Sequence, residues 1–339
     1  MSQQLQRKTI RHPASDMEEK SLDISVVTPL LNEEESLPVL CEWIERVMAD
    51  NGFTYEIILI DDGSTDNSWK VIEQLSLKNP CIKGISLNRN YGKSGALDTG
   101  FRYSRGEVVI TMDADLQDSP DEIPALYQMI TEGGFDLVSG WKKIRHDPVN
   151  KTIPSKFFNL VTRSISNIKL HDFNCGLKAY KSRVIKNIDI YGEMHRYIPV
   201  IAKWNGFVKI GEKVVEHRAR KYGKTKYGFR RFITGFLDLL SITFMTKFKQ
   251  KPMHFFGTLG VLSFLFGFIM TIYLIIRKIV AIQHHLEVRN IVDQPLFFLS
   301  LVAIIIGAQL FLTGFIAEMM TMNYSRNNNY LIIKKVGIE

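Results

Sequence analysis

The chain has 339 residues, 45% of them apolar and 23% charged, which excludes a disordered tail or a collagen-like repeat. Lys and Arg outnumber Asp and Glu by 43 to 35, a net charge of +8, and the three cysteines (Cys41, Cys81, Cys175) stand too far apart for a CxxC zinc knuckle or a disulfide framework, as in a reducing compartment. The length predicts two units: residues 1–246 read as a soluble domain and most of 253–322 as membrane.

Residues 1–20 have no apolar stretch, which argues against a signal peptide, and 1–22 are expected to be a flexible tail. Strands and helices then alternate. The runs 23–30, 55–60, 82–87, 107–112 and 135–139 are β-rich, and 33–50, the stretch up to 77, 94–104 and 120–131 have helical spacing. Asn32 is placed to cap the first helix. This alternation with short turns predicts an α/β domain with a mostly parallel sheet covered on both faces. Such sheets bind ligands at the carboxyl ends of their strands. Three polar clusters fall there: Pro29–Glu33, Asp61–Asp66 and Asp113–Asp118.

The usual nucleotide fingerprints are missing. No GxGxxG follows the first strand and no GxxxxGK[ST] occurs, which makes dinucleotide oxidoreductases and P-loop NTPases poor readings. Asp113 and Asp115 stand two residues apart at a strand end, so their carboxylates point nearly the same way. Close carboxylates repel unless a cation lies between them, and oxygen-only ligands suit Mg²⁺ or Mn²⁺. Gln117 can add a neutral oxygen. A solvated turn explains the same triplet equally well. Asp61, at the second strand end, can accept a hydrogen bond from a ribose hydroxyl or base N–H, or simply cap a helix.

The C-terminal third changes character. Residues 205–251 are rich in Lys and Arg, and Phe229, Phe232, Ile233, Phe236, Leu237, Leu240, Phe244 and Phe248 recur at spacings of three and four. That pattern predicts an amphipathic helix over 229–251, suited to an anionic membrane surface. No nucleic-acid-binding motif accompanies the basic stretch. The runs 253–276 and 295–317 hold no Asp, Glu, Lys or Arg, and the first would span about 36 Å as a helix, enough for a hydrocarbon core of about 30 Å. Lys247, Lys249 and Lys251 precede the first run, and Arg326, Lys334 and Lys335 follow the second. The loop between carries Arg277, Lys278 and Arg289. The balance of charge predicts a hairpin with both termini cytoplasmic.

Taken together, P29-L-L-N32-E33, I60-D-D-G-S-T-D66, N88-R-N-Y-G-K93 and D113-A-D-L-Q-D118 resemble the family 2 glycosyltransferases of GT-A (nucleotide-diphospho-sugar transferase) fold. D172-F-N-C-G-L-K-A-Y180, R220-K-Y-G-K-T-K226 and the two-span hairpin narrow the resemblance to polyprenyl-phosphate glycosyltransferases, relatives of dolichyl-phosphate mannosyltransferase and bacterial undecaprenyl-phosphate glucosyltransferases. Processive polysaccharide synthases share the early motifs, but their QxxRW is absent here.

The resemblance implies five segments: the tail 1–22, a catalytic domain 23–228, an interfacial helix 229–251, a hairpin 252–322 and a cytoplasmic tail 323–339. It implies that Pro29, Leu31, Glu33 and Asp61 line the nucleotide pocket, completed by Lys93, Ala114 and Lys142. Asp113, Asp115 and Gln117 would hold Mg²⁺ or Mn²⁺ with the donor diphosphate. Arg220 and Lys226 would clamp that diphosphate, with Thr225 standing where the family has Ser. Lys142 replaces the Arg of a GxR, so it offers charge without a bidentate fork. Asp172 is read as positioning the acceptor or sugar, or as a base. The implied reaction is inverting transfer from a UDP- or GDP-sugar to undecaprenyl or dolichyl phosphate, at the cytoplasmic face of the inner membrane. The family permits a homo-tetramer. Three rivals remain: another lipid or polysaccharide acceptor, a paired-carboxylate glycosidase, and a non-catalytic tether or degenerate subunit.

Overall fold

The computed structural model describes residues 22–143, 159–160, 162–164, 166–218, 252–286, 289–322 and 332–338. The elements run β1 (Ile24–Leu30), α1 (Leu37–Asn51), β2 (Tyr55–Asp61), α2 (Ser68–Lys78), β3 (Ile82–Leu87), α3 (Lys93–Tyr103), β4 (Val108–Thr111), α4 (Ile123–Thr131), β5 (Leu137–Trp141), β6 (Lys178–Lys181), α5 (Ser182–Lys186), α6 (Ile198–Trp204) and β7 (Ile210–Val214). Two long helices follow, α7 (Pro252–Gln283) and α8 (Pro295–Met322), then β8 (Ile332–Val336). All eight strands form one sheet, in the order β7-β5-β6-β4-β1-β2-β3-β8.

The centre is parallel. β1 pairs with β2 and with β4, and β2 pairs with β3. Each of these strands is followed by a helix that returns the chain to the same edge, as the predicted alternation requires. Alternate residues face opposite sides: Val26, Ile57 and Leu59 pack with α1, while Val27, Ile58 and Ile60 pack with α3. The chain moves outward from β1 through β2 to β3, then comes back to place β4 on the other side of β1. That reversal is a topological switch point, and a crevice opens there at the strand ends. β6 is antiparallel to β4 and to β5, so the loop before β6 reaches the same crevice.

Two expectations are corrected. The first helix begins at Leu37, and Asn32 does not cap it. Asn32 adopts φ +58°, and its Oδ1 accepts the Thr65 N–H at 2.8 Å, so residues 33–36 are drawn into a turn against the β2 loop. The segment 323–339, read as a tail, contributes β8, which pairs antiparallel with β3, Gly84 opposite Val336. Its short, Lys-bearing sequence gives little periodic signal. The tail 1–22, apart from Leu22, and the amphipathic helix 229–251 lie outside the described residues.

The helices α7 and α8 pack antiparallel. Ser263 Oγ donates to the Ala303 carbonyl at 2.8 Å, and the Met253 N–H donates to Glu318 Oε2 at 3.1 Å. Gly260 and Gly307 let the backbones touch: a Cβ on Gly260 would stand 2.7 Å from the Gly307 carbonyl oxygen. Small residues at such crossings are a device of helices packed in lipid. Both helices are long and apolar enough to cross a membrane, and little of their apolar length is buried. A soluble core helix would be mostly buried, and apolar surface on this scale needs a covering.

At the far end of the sheet, Glu56 is 1% exposed and pairs with Lys83 at 2.6 Å, with Ser25 Oγ donating at 2.6 Å and the Arg105 N–H at 2.7 Å. Burial alone would raise its pKa, but Lys83 and these donors hold it below the ordinary 4.5. The folded-state value is the lower one. The stability it adds is therefore present above the unfolded pKa and lost as pH falls through the folded one. Glu56→Ala should cost about 3–5 kcal/mol, because Lys83 loses its partner in a buried setting. Denaturation midpoints measured from pH 7 to pH 3 should show the gap to wild type closing at the acid end.

Candidate active site

The strand ends of β1, β2 and β4 meet at one edge of the sheet, with Leu30 opposite Asp61 and Val27 opposite Thr111. The β1 and β2 loops are laced together. The Asn32 N–H donates to Ser64 Oγ at 2.9 Å and the Glu33 N–H to Ser68 Oγ at 2.9 Å. Pro29, next to last in β1, is half-buried, and Leu31 just beyond the strand is 39% exposed. Asp61 is buried and accepts the Ser64 N–H at 2.8 Å and the Ser86 hydroxyl at 3.3 Å. Its neighbour Asp62 accepts the N–H groups of Tyr91 (2.7 Å) and Gly92 (2.9 Å). Burial pushes Asp62 up to about 6, against those two hydrogen bonds and with the help of Asp61. Asp62 thus fixes the turn that delivers Lys93 to the start of α3.

Lys93 Nζ forms an ion pair with Asp113 Oδ1, about one-third exposed on each side. Burial would raise the Asp113 pKa, yet Lys93 and Lys142 bring it down to about 2, so it is ionised at neutral pH. Beyond it the loop turns sharply, with Leu116 at φ +59°. The Gln117 N–H donates to Asp115 Oδ1 at 3.3 Å. Ala114 is buried, while Asp115 and Gln117 are half-buried. The loop ends on Asp118, fully buried and 2.7 Å from Lys142 Nζ. Burial disfavours the Lys142 cation, but Asp118 more than offsets this and raises its pKa. Lys142 therefore braces the acidic loop. The Asp118 backbone also pairs antiparallel with that of His217, and the Arg218 N–H donates to the Gln117 carbonyl at 3.0 Å.

Asp172 opens the loop before β6. It is 1% exposed, and its Oδ1 accepts the Asn174 N–H at 3.0 Å. The Asp172 N–H donates to Glu212 Oε1 at 3.0 Å, and Ser139 Oγ donates to its carbonyl at 3.2 Å. This loop carries Gly176 against Asp113: a Cβ there would lie 2.5 Å from Asp113 Oδ2. Gly176→Ala should displace that carboxylate by an ångström or so and lower turnover on the order of 10²-fold with the melting temperature nearly unchanged. Parallel rate and thermal-unfolding measurements check it.

The donor set fits a hard divalent cation. Asp113, Asp115 and Gln117 offer oxygen only, and Gly176 leaves room for the first carboxylate. Among the described residues there is no group of three or more His, Cys, Asp or Glu arranged to hold a metal. The set suits a cation such as Mg²⁺, which completes its shell with water and substrate phosphate.

A family model described as Glycosyl transferase family 2 matches residues 25–189. The dodecaprenyl-phosphate galacturonate synthase of Rhizobium johnstonii is 35% identical over 322 residues, covering 92% of this chain and 93% of that one. The chain belongs to glycosyl transferase family 2. The undecaprenyl-phosphate 4-deoxy-4-formamido-L-arabinose transferase of Shewanella sediminis is also 35% identical to this glycosyltransferase, over 89% of its chain and 88% of the relative. Among solved structures, glucosyl-3-phosphoglycerate synthase from Mycobacterium tuberculosis superposes with a TM-score of 0.51 at 18% identity, covering 66% of this chain and 80% of that one, a likeness of fold.

Of the site residues read from the glycosyltransferase's sequence, Pro29, Leu31, Glu33, Asp61, Lys93, Asp113, Ala114, Asp115, Gln117 and Lys142 gather at this one edge. Arg220 and Lys226 lie outside the described residues. Three contributors escaped the sequence reading. Asp62 was visible as the second Asp of the D-D-G-S cluster. Lys178 stood inside the D172–Y180 motif without a role of its own, and His195 gave no motif signal, because it reaches the site from the turn before α6.

Proposed function

We propose that this glycosyltransferase moves a sugar from a UDP- or GDP-sugar to a polyprenyl phosphate, undecaprenyl or dolichyl, at the cytoplasmic face of the inner membrane. The observation that carries the reading is the return of the chain to the catalytic sheet as β8 after two apolar helices. A hairpin anchored at its far end to the sheet keeps the crevice beside a bilayer, and both named relatives use polyprenyl phosphates. The same return supports a hairpin with both termini on the side of the catalytic domain. The segments 23–228, 229–251 and 252–322 would then be catalytic domain, interfacial helix and anchor.

Asp113, Asp115 and Gln117 would hold Mg²⁺ or Mn²⁺, which when bound offsets the charge growing on the leaving diphosphate. Pro29, Leu31, Glu33 and Asp61 would contact the nucleoside. Arg220 and Lys226 would close on the diphosphate. The support is local: Arg220 stands two residues after Arg218, whose backbone is tied to Gln117. An acceptor phosphate oxygen forms the new bond to the anomeric carbon as the bond to the diphosphate breaks, with inversion. A phosphate monoester is largely dianionic at neutral pH, with a second pKa of about 6, so it needs little help from a base. Asp172, buried and engaged with Asn174, acts by shaping the loop under Asp113.

The test is a radiolabelled-sugar assay on the full chain in nanodiscs. UDP- and GDP-sugars are offered with undecaprenyl phosphate and Mn²⁺, with and without EDTA. The expected product is a lipid-phosphate sugar whose formation stops with EDTA. Cleavage of glycosides without nucleotide and regardless of EDTA would make the protein a glycosidase instead.

A further inference from the structure

A small recess lies behind the Lys93–Asp113 pair, with Lys93, Lys178, Tyr180, His195 and Arg196 among its walls. Its chemistry is one-sided. Lys178 is 3% exposed, and its ammonium donates to the Cys175 carbonyl. A carbonyl satisfies one of three N–H groups and leaves the charge unneutralised, which is costly in a buried place. Burial accordingly lowers the Lys178 pKa, with Lys93 adding to the effect against Cys175, Asp172 and Asp113. Lys93 faces Asp113, and Arg196 pairs with Glu193 at 3.0 Å.

His195 adds a donor. Ser94 Oγ accepts the His195 backbone N–H at 2.9 Å and lies 3.1 Å from its Nδ1. Nδ1 faces that hydroxyl, and when the hydroxyl donates to it the ring carries its proton on Nε2. Burial, with Lys93 and Arg196 nearby, keeps the ring neutral at physiological pH. Two ammoniums, a guanidinium and an imidazole N–H therefore line a recess with no carboxylate among its described wall residues; Asp113 pairs with Lys93 beside it.

We propose that this recess is an oxyanion subsite, in which Lys178 Nζ and His195 Nε2 receive a phosphate or carboxylate oxygen of a substrate beside Asp113. The proposal rests on the glycosyl-transfer reading above. That reading assigns the donor diphosphate to the cation, Arg220 and Lys226, which leaves two oxyanions of the right chemistry: the acceptor phosphate and a carboxylate on the transferred sugar.

The experiment uses the full chain in nanodiscs as wild type, Lys178→Gln, Lys178→Arg and His195→Phe. Calorimetry on protein loaded with UDP and Mn²⁺ measures binding of geranyl phosphate and of glucuronate. Transfer assays measure the corresponding KM values with neutral and uronate donors. Lys178→Gln is expected to weaken one probe at least tenfold, with UDP affinity within twofold of wild type and most of the loss restored in Lys178→Arg. A loss on geranyl phosphate assigns the acceptor, and a loss on glucuronate the sugar. Unchanged binding of both probes, or a loss confined to UDP, overturns the subsite. If Lys178→Gln fails to fold, His195→Phe decides in the same way. Wild type that binds a probe through Lys178 yet transfers no sugar would sink the functional reading and leave the subsite standing.

Discussion

Asp115→Ala is expected to lower sugar transfer by on the order of 10³-fold while the domain stays folded. The side chain is half-buried on a loop, outside the two apolar clusters, so its removal leaves no cavity. Its Oδ1 accepts the Gln117 N–H at 3.3 Å, a long contact whose loss costs little stability. Its chemical role is different. Asp113 shares one oxygen with Lys93, and Asp115, two residues on, is the second carboxylate placed to share a cation with it. Without it the cation loses an anchor just as charge develops on the leaving group. The loss should therefore fall on kcat, with a higher Mn²⁺ concentration needed for half-maximal rate. Asp115→Asn keeps the oxygen but not the charge and should fall between. Near-normal turnover in Asp115→Ala, with unchanged metal dependence, would remove the acidic loop from the mechanism.

The central sheet was legible because its signals are local. Compact β-rich runs, each followed by a helical period, are readable over ten residues, and the strand-end rule turned them into a site. What stayed hidden depends on chain reversals. β8 is five residues with two lysines, separated from its partner β3 by the whole hairpin, and no local pattern links them. Lys178 lies in a strand antiparallel to β4, so its proximity to Asp113 follows from sheet order and not from spacing. Asn32 failed as a cap for a related reason: a partner from the next loop, Thr65, competes for its side chain. Local propensity set the elements, and long-range pairing decided which polar groups face the crevice.

That pairing also changes what removal of the hairpin should do. A chain ending at Lys251 loses β8 with the anchor. β3 then presents an open edge, and Ile85 and Leu87, both buried, lose part of their cover. Lys334 over Trp69 and Lys335 over Tyr103 are lost too. An exposed edge strand of that kind invites pairing with another chain. The truncated protein is therefore expected to aggregate, which would say nothing about the acceptor. The informative variant replaces 252–322 with a flexible linker and keeps residues 332–339. It should bind UDP like wild type, because the donor residues named at the strand ends all precede the hairpin. Transfer to undecaprenyl phosphate should fall by about 10²-fold or more, since the crevice no longer stays at the headgroup level where that phosphate resides. Transfer to geranyl phosphate, which reaches the crevice through water, should be nearly unchanged. Rates with both acceptors for both proteins make the comparison. Equal loss on the two would mean that the hairpin shapes the crevice itself, and no loss on either would reduce it to an anchor with no part in presenting the acceptor.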